Sequence, residues 1–509
     1  MFNNQTSQAT DHAQEIQFAK TCNEACALLF PQAKTNAFLE YQHNAIHEYP
    51  YLQLLDLNDD FWALTLDHVV YVIKENQFRQ YQSGLYVQVT ESTLIGQIIS
   101  NLNHASQYFP CTLKYESFLN LKNRQRIKGV IERAKDLLCA DENYFKDKHL
   151  HLANGIFKLG DNSFHSFDPA YPICEKMQVK YDPEAKCDLF LDMFLANILS
   201  PEDIDLLQRY CSQILQGVNH SQKILILTGD SGWGKSSLMK ILGKMVGWNR
   251  VGIIRDQIYS NEYELAHYHN KRLLYHPDMP TEFLNSNESS IFKQLTGGDP
   301  LWAEIKNSDE RKVIEGNFPI VLACNGRPRI YLDEDLEAWE RRLIVLNFKR
   351  PAHDKHFGKM GDLLFEKEGS GILNWLLEGR KKLVKDSLQL IQTKEQQART
   401  SMLLLGSESP KAYVQNCLMK KQGANLGAVE MYENYQSWCR VHNLVPFASK
   451  QFHKIVKSEV EIRFGLRYRH DLVAENGKAM RGWKNLALVE SGEIENAKNA
   501  SVESREVAE

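Results

Sequence analysis

The sequence predicts an α/β protein in which buried strands alternate with helices, and three observations support that fold class. Four short apolar runs, at residues 224–227, 273–275, 319–325 and 343–348, have the length of strands that are covered on both faces. Two of them end next to an acid or an amide, and the first leads into a glycine-rich loop. After that loop, apolar side chains recur at helical spacing.

The glycine-rich loop has the residue types of a phosphate-binding site. Residues 224–238 read ILILTGDSGWGKSSL, which is the P-loop order of strand, loop, Lys-Ser and helix. Glycines let backbone N–H groups turn toward phosphate oxygens beside the positive end of a helix. A lysine can reach the β- and γ-phosphates, and a serine hydroxyl can coordinate Mg²⁺. The predicted ATP and Mg²⁺ site comprises Gly229, Asp230, Ser231, Gly232, Trp233, Gly234, Lys235, Ser236 and Ser237.

Composition limits the classes of protein. A chain of 509 residues is too long for one core, so we expect several domains. The net charge of -4 confines any nucleic-acid surface to a local patch. The ten cysteines are scattered. The closest two are not joined by another cysteine pair or by a histidine cluster, as a zinc site would need, and this favours reduced thiols. Neither a bilayer-length apolar run nor an apolar signal core is present, so we expect a cytoplasmic protein with no membrane contact.

The N-terminal part predicts a helical extension at residues 1–45 and an α+β domain at residues 46–205. Residues 68–90 are rich in β-branched and aromatic side chains, with a turn at residues 82–84. Asn154-Gly155 is a strong hairpin signal. Helical patterns cover residues 92–102, 124–138, 187–199 and 201–216.

Four later residues, at the ends of three apolar runs, provide polar side chains that nucleotide hydrolysis uses. Asp278 lies just beyond one apolar run, where an acid can hold Mg²⁺, and Asn325 ends another, where an amide can orient water. Arg341 and Arg342 precede the last run, from which an arginine can reach the ATP of a neighbouring subunit. The plainer interpretations are a turn acid for Asp278 and a solvated strand cap for the arginine pair.

Between Asp278 and Asn325 the sequence predicts a basic hairpin. Residues 301–305 and 312–314 can pair as strands across a polar turn at residues 307–310. In a ring, this hairpin would point toward a central pore that holds the phosphates of a DNA strand, and the alternative is an ordinary charged surface hairpin. The residues that it would project are Lys306, Arg311 and Lys312.

Residues 411–490 predict a separate C-terminal unit, which follows a linker at residues 407–411. A helix at residues 429–441, a basic helix at 449–458 and two strands at 462–469 and 480–489 are typical of a winged helix. Lys450 and Lys454 would suit contacts with DNA phosphates, although an interaction domain with a solvated basic face has the same pattern. The polar, acidic residues 491–509 predict a disordered tail.

The order of these motifs resembles that of the superfamily 3 helicases, and more narrowly the phage and plasmid primase-helicase group that includes the poxvirus helicase-primase. The segments in order are GDSGWGKS, LLYHPDM, LTGGDPLWAEIK, IVLACNGRP and WERRLIVLNF. LTGGDP followed by AEIK is the most specific of them. The resemblance extends over about residues 45–490, through HLANGIFKL before the core and YENYQSWCRVHNLVPFASKQFHK after it.

This resemblance implies an AAA+-like ATPase core, at residues 206–400, that forms a ring, usually a hexamer, and translocates on single-stranded DNA. Walker B usually has two adjacent acids, but here Met279 follows Asp278, which leaves the catalytic base open. Many relatives carry an N-terminal primase domain, for which there is no room before residue 45, so a separately encoded primase is an expected partner. By position, Lys235 and Ser236 match the Walker A pair, Asp278 the Walker B acid, Asn325 the sensor, Lys306 the DNA hairpin, and Arg341 or Arg342 the arginine finger, with Arg342 preferred because it abuts the strand.

The sequence therefore predicts an ATP-driven replicative DNA helicase of a phage, plasmid or other mobile element, acting on single-stranded or forked DNA. A second hypothesis is a DNA-activated ATPase switch, in initiation or defence, that does not unwind DNA. A third is a small-molecule kinase with a P-loop, which the arginine-bearing motif and the GGDP hairpin disfavour.

Overall fold

The computed structural model describes residues 59–106, 123–141, 144–145, 148–285, 287–306, 311–330, 336–351, 359–442, 444–473 and 479–489. The expected extension at residues 1–45, the turn at 307–310 and the tail at 491–509 lie outside these ranges. The described residues have the expected mixed α/β character, with several sheets, of which one is parallel. The chain divides into two compact units after Tyr181.

The first unit contains a four-stranded sheet with order β3-β2-β1-β4. Its two-residue turn at Ser83 and Gly84 has positive φ at both positions, the geometry that joins β2 to β3 tightly. Trp62, which is fully buried, packs among the apolar faces of the helices and the sheet. The elements are α1 (Asp59–Leu64), β1 (Val69–Val72), β2 (Gln77–Gln82), β3 (Leu85–Val89), α2 (Glu91–Ser106), α3 (Arg124–Leu137) and β4 (Cys139–Ala140).

A second, three-stranded antiparallel sheet completes the first unit. Its strands are β5 (Leu150–Leu152), β6 (Gly155–Lys158) and β7 (Ser163–His165). The hairpin expected at Asn154-Gly155 is confirmed, since β5 pairs with β6 directly across it.

The second unit is built on a five-stranded sheet with order β14-β8-β13-β10-β9, in which every neighbouring pair is parallel. All five residues of β8 are buried, because helices cover both faces of a parallel sheet. The elements up to the last strand of the sheet and the two helices after it are α4 (Pro201–Ser212), β8 (Ile224–Thr228), α5 (Lys235–Val246), β9 (Val251–Ile253), β10 (Leu273–His276), α6 (Ile291–Gly297), β11 (Pro300–Glu304), β12 (Arg311–Glu315), β13 (Ile320–Cys324), α7 (Leu336–Glu340), β14 (Leu343–Asn347), α8 (Met360–Lys385) and α9 (Lys394–Ser407).

The division after Tyr181 precedes the boundary expected at residue 205. A π-helical segment at Leu189–Leu195 belongs to the second unit because α8 holds its start. The Glu368 carboxylate accepts the backbone N–H groups of Leu189 and Phe190, at 3.0 and 2.8 Å. The Trp375 ring packs edge-on against Phe190, with centroids 5.2 Å apart.

The C-terminal part of the second unit is helical with a three-stranded antiparallel sheet, in the order β15-β17-β16. The expected strand at residues 462–469 is wrong: the helix runs on to Phe464 and ends at Gly465, whose φ is +67°. The expected linker at residues 407–411 is also wrong, since two helices meet there. The elements are α10 (Ser409–Cys417), β15 (Leu418–Gly427), α11 (Ala428–Val441), α12 (Ser449–Phe464), β16 (Arg469–Val473) and β17 (Ala479–Leu488).

The helices of the described ranges also bear on membrane crossing. Among those in the described ranges, none has the length and apolar character needed to span a bilayer.

A buried ion pair joins α4 to α9 and yields a test of the fold. Asp203 is 3% exposed and receives hydrogen bonds from the Arg399 guanidinium and from Gln396. Burial alone raises the pKa of the Asp203 carboxyl, but the bonds from Arg399 and Gln396 outweigh burial and hold this pKa below its ordinary value. The pair therefore stabilises the fold above about pH 4, and that contribution is lost as the pH falls through the folded-state pKa.

We expect Arg399→Met to lower the free energy of unfolding at neutral pH by about 3 kcal/mol, because it leaves a buried carboxylate without its cation. Urea denaturation followed by circular dichroism measures this loss. The difference from wild type should shrink on acidification, since protonation relieves the unpaired Asp203. Arg133→Met is the matched control, because Arg133 pairs with Asp136 on the surface, and it should cost less than about 1 kcal/mol. Equal losses in the two variants would contradict a stabilising role for the buried pair.

Candidate nucleotide-binding site

The polar residues predicted from separate motifs meet at one edge of the parallel sheet. In the register of the strands, Thr228 is level with Cys324, and His276 is level with Leu322. The segments that follow β8, β10 and β13 therefore emerge side by side. From β8 the chain continues through α5 to β9 at one side of the sheet, whereas β13 continues through α7 to β14 at the other. The crevice between β8 and β13 is thus a topological switch point, where open α/β sheets bind ligands.

The glycine loop (residues 229–234) has a backbone that few other residues could adopt. Gly232 and Gly234 have φ of +84° and +97°, in the left-handed region. Gly234 also lies against Phe194 of the π-helical segment, so closely that an added Cβ would be 2.9 Å from the ring. Trp233 lies over Gly229 on another side of the loop. Asp230 and Ser231 are exposed.

Lys235 begins α5 and folds back over the glycine loop. Its Nζ donates to the backbone carbonyl oxygens of Gly229 and Asp230, at 2.5 and 2.9 Å. Burial lowers the pKa of Lys235, and the nearby groups of Cys324, Asp230 and Asp278 oppose that shift. The lysine charge is thus held at the mouth of the loop by weak neutral acceptors that an anion could replace.

The first turn of α5 offers the donors of an anion site. The N–H groups of a helical first turn have no partners within the helix, and they carry its positive end. α5 has 12 residues, so this end is well developed. Ser236 is exposed there, whereas Ser237 is buried.

Asp278 and Asn325 are in direct contact. The Asn325 side-chain amide donates to Oδ1 of Asp278 at 2.8 Å, although the two residues lie 47 positions apart in the chain. Both side chains are exposed at the carboxyl edge. Met279, which stands where a second acid would be expected, is 1% exposed and points into the core.

Two contacts near this pair were not anticipated from the sequence. Glu282 accepts a hydrogen bond from the Arg329 guanidinium at 2.8 Å. The Thr228 hydroxyl donates to Oδ1 of Asn347 at 2.5 Å, across the carboxyl ends of β8 and β14. Position next to a strand end was the available signal for Thr228 and Asn347. No sequence signal pointed to Arg329, because its partner Glu282 comes from a distant segment.

The arginine pair lies at the other edge of the sheet. Arg341 and Arg342 come directly before β14, whose first residue is level with Ile224, the first residue of β8. The five residues of a strand separate this amino edge from the glycine loop. Arg342 is 7% exposed, and its guanidinium donates to the Ala338 carbonyl at 3.1 Å, whereas Arg341 is exposed.

The hairpin expected between Asp278 and Asn325 is confirmed as β11 paired with β12 in antiparallel register. One face of it is buried in the core of the second unit through Leu301, Ala303 and Ile314. Lys306 is exposed, Lys312 is half-buried, and Arg311 pairs with Glu304 at 2.8 Å.

The predicted basic positions of the C-terminal part are accessible. Lys450 and Lys454 are both exposed on α12. Residues of the same helix that face inward, Phe452 and Val456, are fully buried.

Within the described part of the chain, no group of three or more His, Cys, Asp or Glu side chains could hold a metal ion. A magnesium site needs no such group, since Mg²⁺ is often held by one or two protein oxygens together with substrate phosphates and water. The hydroxyl of Ser236 and the carboxylate of Asp278 have that donor chemistry.

Comparisons with known proteins add little about the chain's activity. Residues 227–342 match a family of unknown function, DUF5906, over less than half of the chain. No curated protein sequence matches significantly.

Several solved structures overlap most of the chain. They include the A form apo structure of the C-terminal region of NrS-1, with 14% identity, a TM-score of 0.38, and coverage of 78% of this chain and 84% of that one. Another apo structure of that region has 12% identity, a TM-score of 0.37, and coverage of 82% and 95%. We base no inference on likenesses of this degree.

The two left-handed glycines of the loop provide a matched pair of substitutions. We expect Gly234→Ala to abolish measurable nucleotide binding, because the Cβ would meet Phe194 in addition to the unfavourable φ. Gly232→Ala should weaken binding by roughly tenfold, since its Cβ meets no atom within 4 Å and only backbone strain of about 1–2 kcal/mol applies. Titration with a fluorescent ATP analogue measures both. Equal effects would mean that Phe194 does not constrain the loop.

Proposed function

We propose that this protein is an ATP-dependent DNA helicase with an AAA+-like P-loop core that works as a ring on single-stranded DNA. The convergence of Lys235, Asp278 and Asn325 at the carboxyl edge of one parallel sheet is the observation that carries the proposal. Three side chains from separate motifs are gathered at the switch point between β8 and β13. Polar groups of these types at that place are what nucleotide hydrolysis needs.

ATP binding would use the glycine loop and the start of α5. The β-phosphate would sit among the N–H groups of residues 232–237, where the loop backbone and the positive end of the helix favour an anion. Lys235 would leave the carbonyl oxygens of Gly229 and Asp230 and contact the β- and γ-phosphates. A full negative charge is a stronger partner for the ammonium than two neutral carbonyls are.

Hydrolysis would depend on the Asp278–Asn325 pair. Ser236 and Asp278 would hold Mg²⁺, which when bound neutralises charge on the phosphates. Asn325 is held by Asp278, so its amide has a defined position from which it can orient a water molecule toward the γ-phosphate. Glu282 is the nearest alternative acid in this segment, but its pairing with Arg329 directs it away from that role.

A ring is supported by the position of the arginines. Arg341 lies at the amino edge of the sheet, away from the glycine loop of its own chain, so it could reach an ATP only on a neighbouring subunit. Burial of Arg342 against Ala338 moves our preference from Arg342 to Arg341 as the arginine finger. A homo-hexamer is the assembly that we propose.

DNA would contact two basic surfaces. Lys306, Arg311 and Lys312 lie on or beside the β11–β12 hairpin, and Lys450 and Lys454 lie on α12 of a C-terminal part that we interpret as a winged helix. Release of an unwound strand from a forked substrate distinguishes a helicase from a DNA-activated switch. Stimulation of ATP hydrolysis by single-stranded DNA excludes the small-molecule kinase.

The first test of this function is Lys235→Ala. We expect hydrolysis to fall by at least about 100-fold, because the substitution removes the charge that faces the phosphates. Release of phosphate, with and without single-stranded DNA, measures this effect. Lys240→Ala is the matched control on the same helix, where Lys240 pairs with Asp362, and it should retain most activity. Wild-type turnover in Lys235→Ala would remove the nucleotide site from this loop.

The second test separates the two arginines. Arg341→Ala should bind ATP normally but hydrolyse it on the order of 10³-fold more slowly, because a finger acts on transition-state charge. Mixing Arg341→Ala chains with Lys235→Ala chains should restore part of the activity, since an intact loop can then meet an intact arginine across a subunit boundary.

Arg342→Ala provides the comparison for that test. It should lower thermal stability, because Arg342 is buried. Mixing Arg342→Ala chains with Lys235→Ala chains should give no more ATP hydrolysis than the folded Arg342→Ala chains give alone. Full turnover of Arg341→Ala, or hydrolysis by a proven monomer, would contradict a shared site.

A further inference from the structure

The outward face of the β11–β12 hairpin carries an exposed aromatic side chain. Trp302 is 63% exposed, and Val313, directly opposite it on the other strand, is 49% exposed. The inward face of the same hairpin is fixed in the core, so this outward position is well defined. Single exposed apolar side chains are ordinary, but Trp302 and Val313 are adjacent on one face and form a contiguous apolar patch, which is the kind of surface that marks a binding site.

Charged groups continue the same face toward the tip. Arg311 and Glu304 are the next cross-strand pair on this side, and they are joined by an ion pair of 2.8 Å. Arg311 lies diagonally across the ladder from Trp302, at the roughly 7–8 Å of a diagonal cross-strand pair, so the two side chains are neighbours. Exposed Lys306 follows the end of β11. A flat aromatic ring beside cations is the combination that binds single-stranded nucleic acid, by base stacking and phosphate attraction.

A protein surface is a less suitable cover for this face. The centres of protein interfaces are depleted of charged residues. Here Arg311 and Glu304 lie beside the ring with side-chain exposures of 59% and 34%. Burying this ion pair against another subunit would remove its hydration, whereas a base stacked on Trp302 would leave the pair in solvent, where the charge of Arg311 offsets that of Glu304.

We propose that Trp302 is a base-stacking residue for single-stranded DNA, with Lys306 and Arg311 facing the adjacent phosphates. The inference rests on the proposed function and assigns a specific contact to it. Stacking makes no use of base identity, so the contact would suit a protein that travels along any sequence.

The test is the affinity of the full chain for fluorescein-labelled oligothymidylate, measured over a series of salt concentrations with a non-hydrolysable ATP analogue present. We expect Trp302→Leu and Trp302→Ala to weaken binding by on the order of tenfold at every salt concentration. Trp302→Phe should retain most of the affinity. Because stacking releases no counterions, the slope of log K against log salt should stay at the wild-type value in all three.

Two further variants are matched controls. Lys306→Ala should weaken binding and reduce the magnitude of the salt slope by about 0.7, as expected for one lost phosphate contact on a single strand. Val313→Ala removes neighbouring apolar surface without removing a π-face, and its affinity should stay within about twofold of wild type. Thermal melting and native mass accompany each variant.

Three results would overturn the inference. Trp302→Leu could bind as tightly as Trp302→Phe, it could change the salt slope, or it could reduce the native mass of the assembly. The last result would place Trp302 at a subunit interface. Each of these leaves the proposed function standing, whereas failure of the wild type to bind oligothymidylate would remove the proposed function itself.

Discussion

The candidate site depends on the parallel pairing of β13 with both β8 and β10. This pairing places the ends of three strands at one level, so that Asp278 and Asn325 come within 2.8 Å of each other beside the glycine loop. An antiparallel β13 would put its carboxyl end at the opposite edge and separate the two residues. The core that fixes the pairing is fully buried on β8 and β13, with five buried residues in each strand. Apolar burial of these strands therefore sets the geometry of the polar groups.

A second consequence of the fold is a connection from this edge to the C-terminal part of the chain. The Arg329 guanidinium donates to Glu282 at 2.8 Å and to the Pro446 carbonyl at 3.1 Å, and it lies 4.0 Å from the centre of the Phe447 ring. Phe447 is itself held by Tyr435, whose hydroxyl accepts its N–H. A shift of the segment after β10 would therefore disturb contacts of the C-terminal core. Under the proposed function, this would link the nucleotide site to the basic helix α12.

The sheet also holds charged side chains at two opposite edges. The lysine and the acid lie at its carboxyl edge, and the arginines lie at its amino edge, a full strand length away. Lys235 and the two arginines thus lie at opposite edges of the same sheet. Under the proposed function, this separation is the reason that Arg341 would act on the glycine loop of a neighbouring subunit and not on its own.

Local patterns were sufficient for most elements and for the residue types that line the candidate site. The glycine loop, the five-residue buried run of β8 and the periodicity of α5 are properties of neighbouring residues, so they can be read from the sequence. The same holds for the hairpins at Ser83-Gly84 and Asn154-Gly155, where turn residues determine the geometry. The helix α12 exceeded its expected end at Ser458 because Val460 is needed in the core and Gly465 provides the stop. Burial by distant elements decided that boundary, and sequence spacing does not show it.

Only the tertiary structure decided which residues meet and which are accessible. Sequence position favoured Arg342 over Arg341, but the structure exposes Arg341 and buries Arg342 against the end of α7. Arg329 and Glu282 lie 47 positions apart, and they pair because β10 and β13 are neighbours in the sheet. The sequence does not say which face of β11 Trp302 occupies, whereas the cross-strand register places it outward. Sequence determines local chemistry through short-range geometry, and long-range packing determines the contacts through burial that depends on the whole fold.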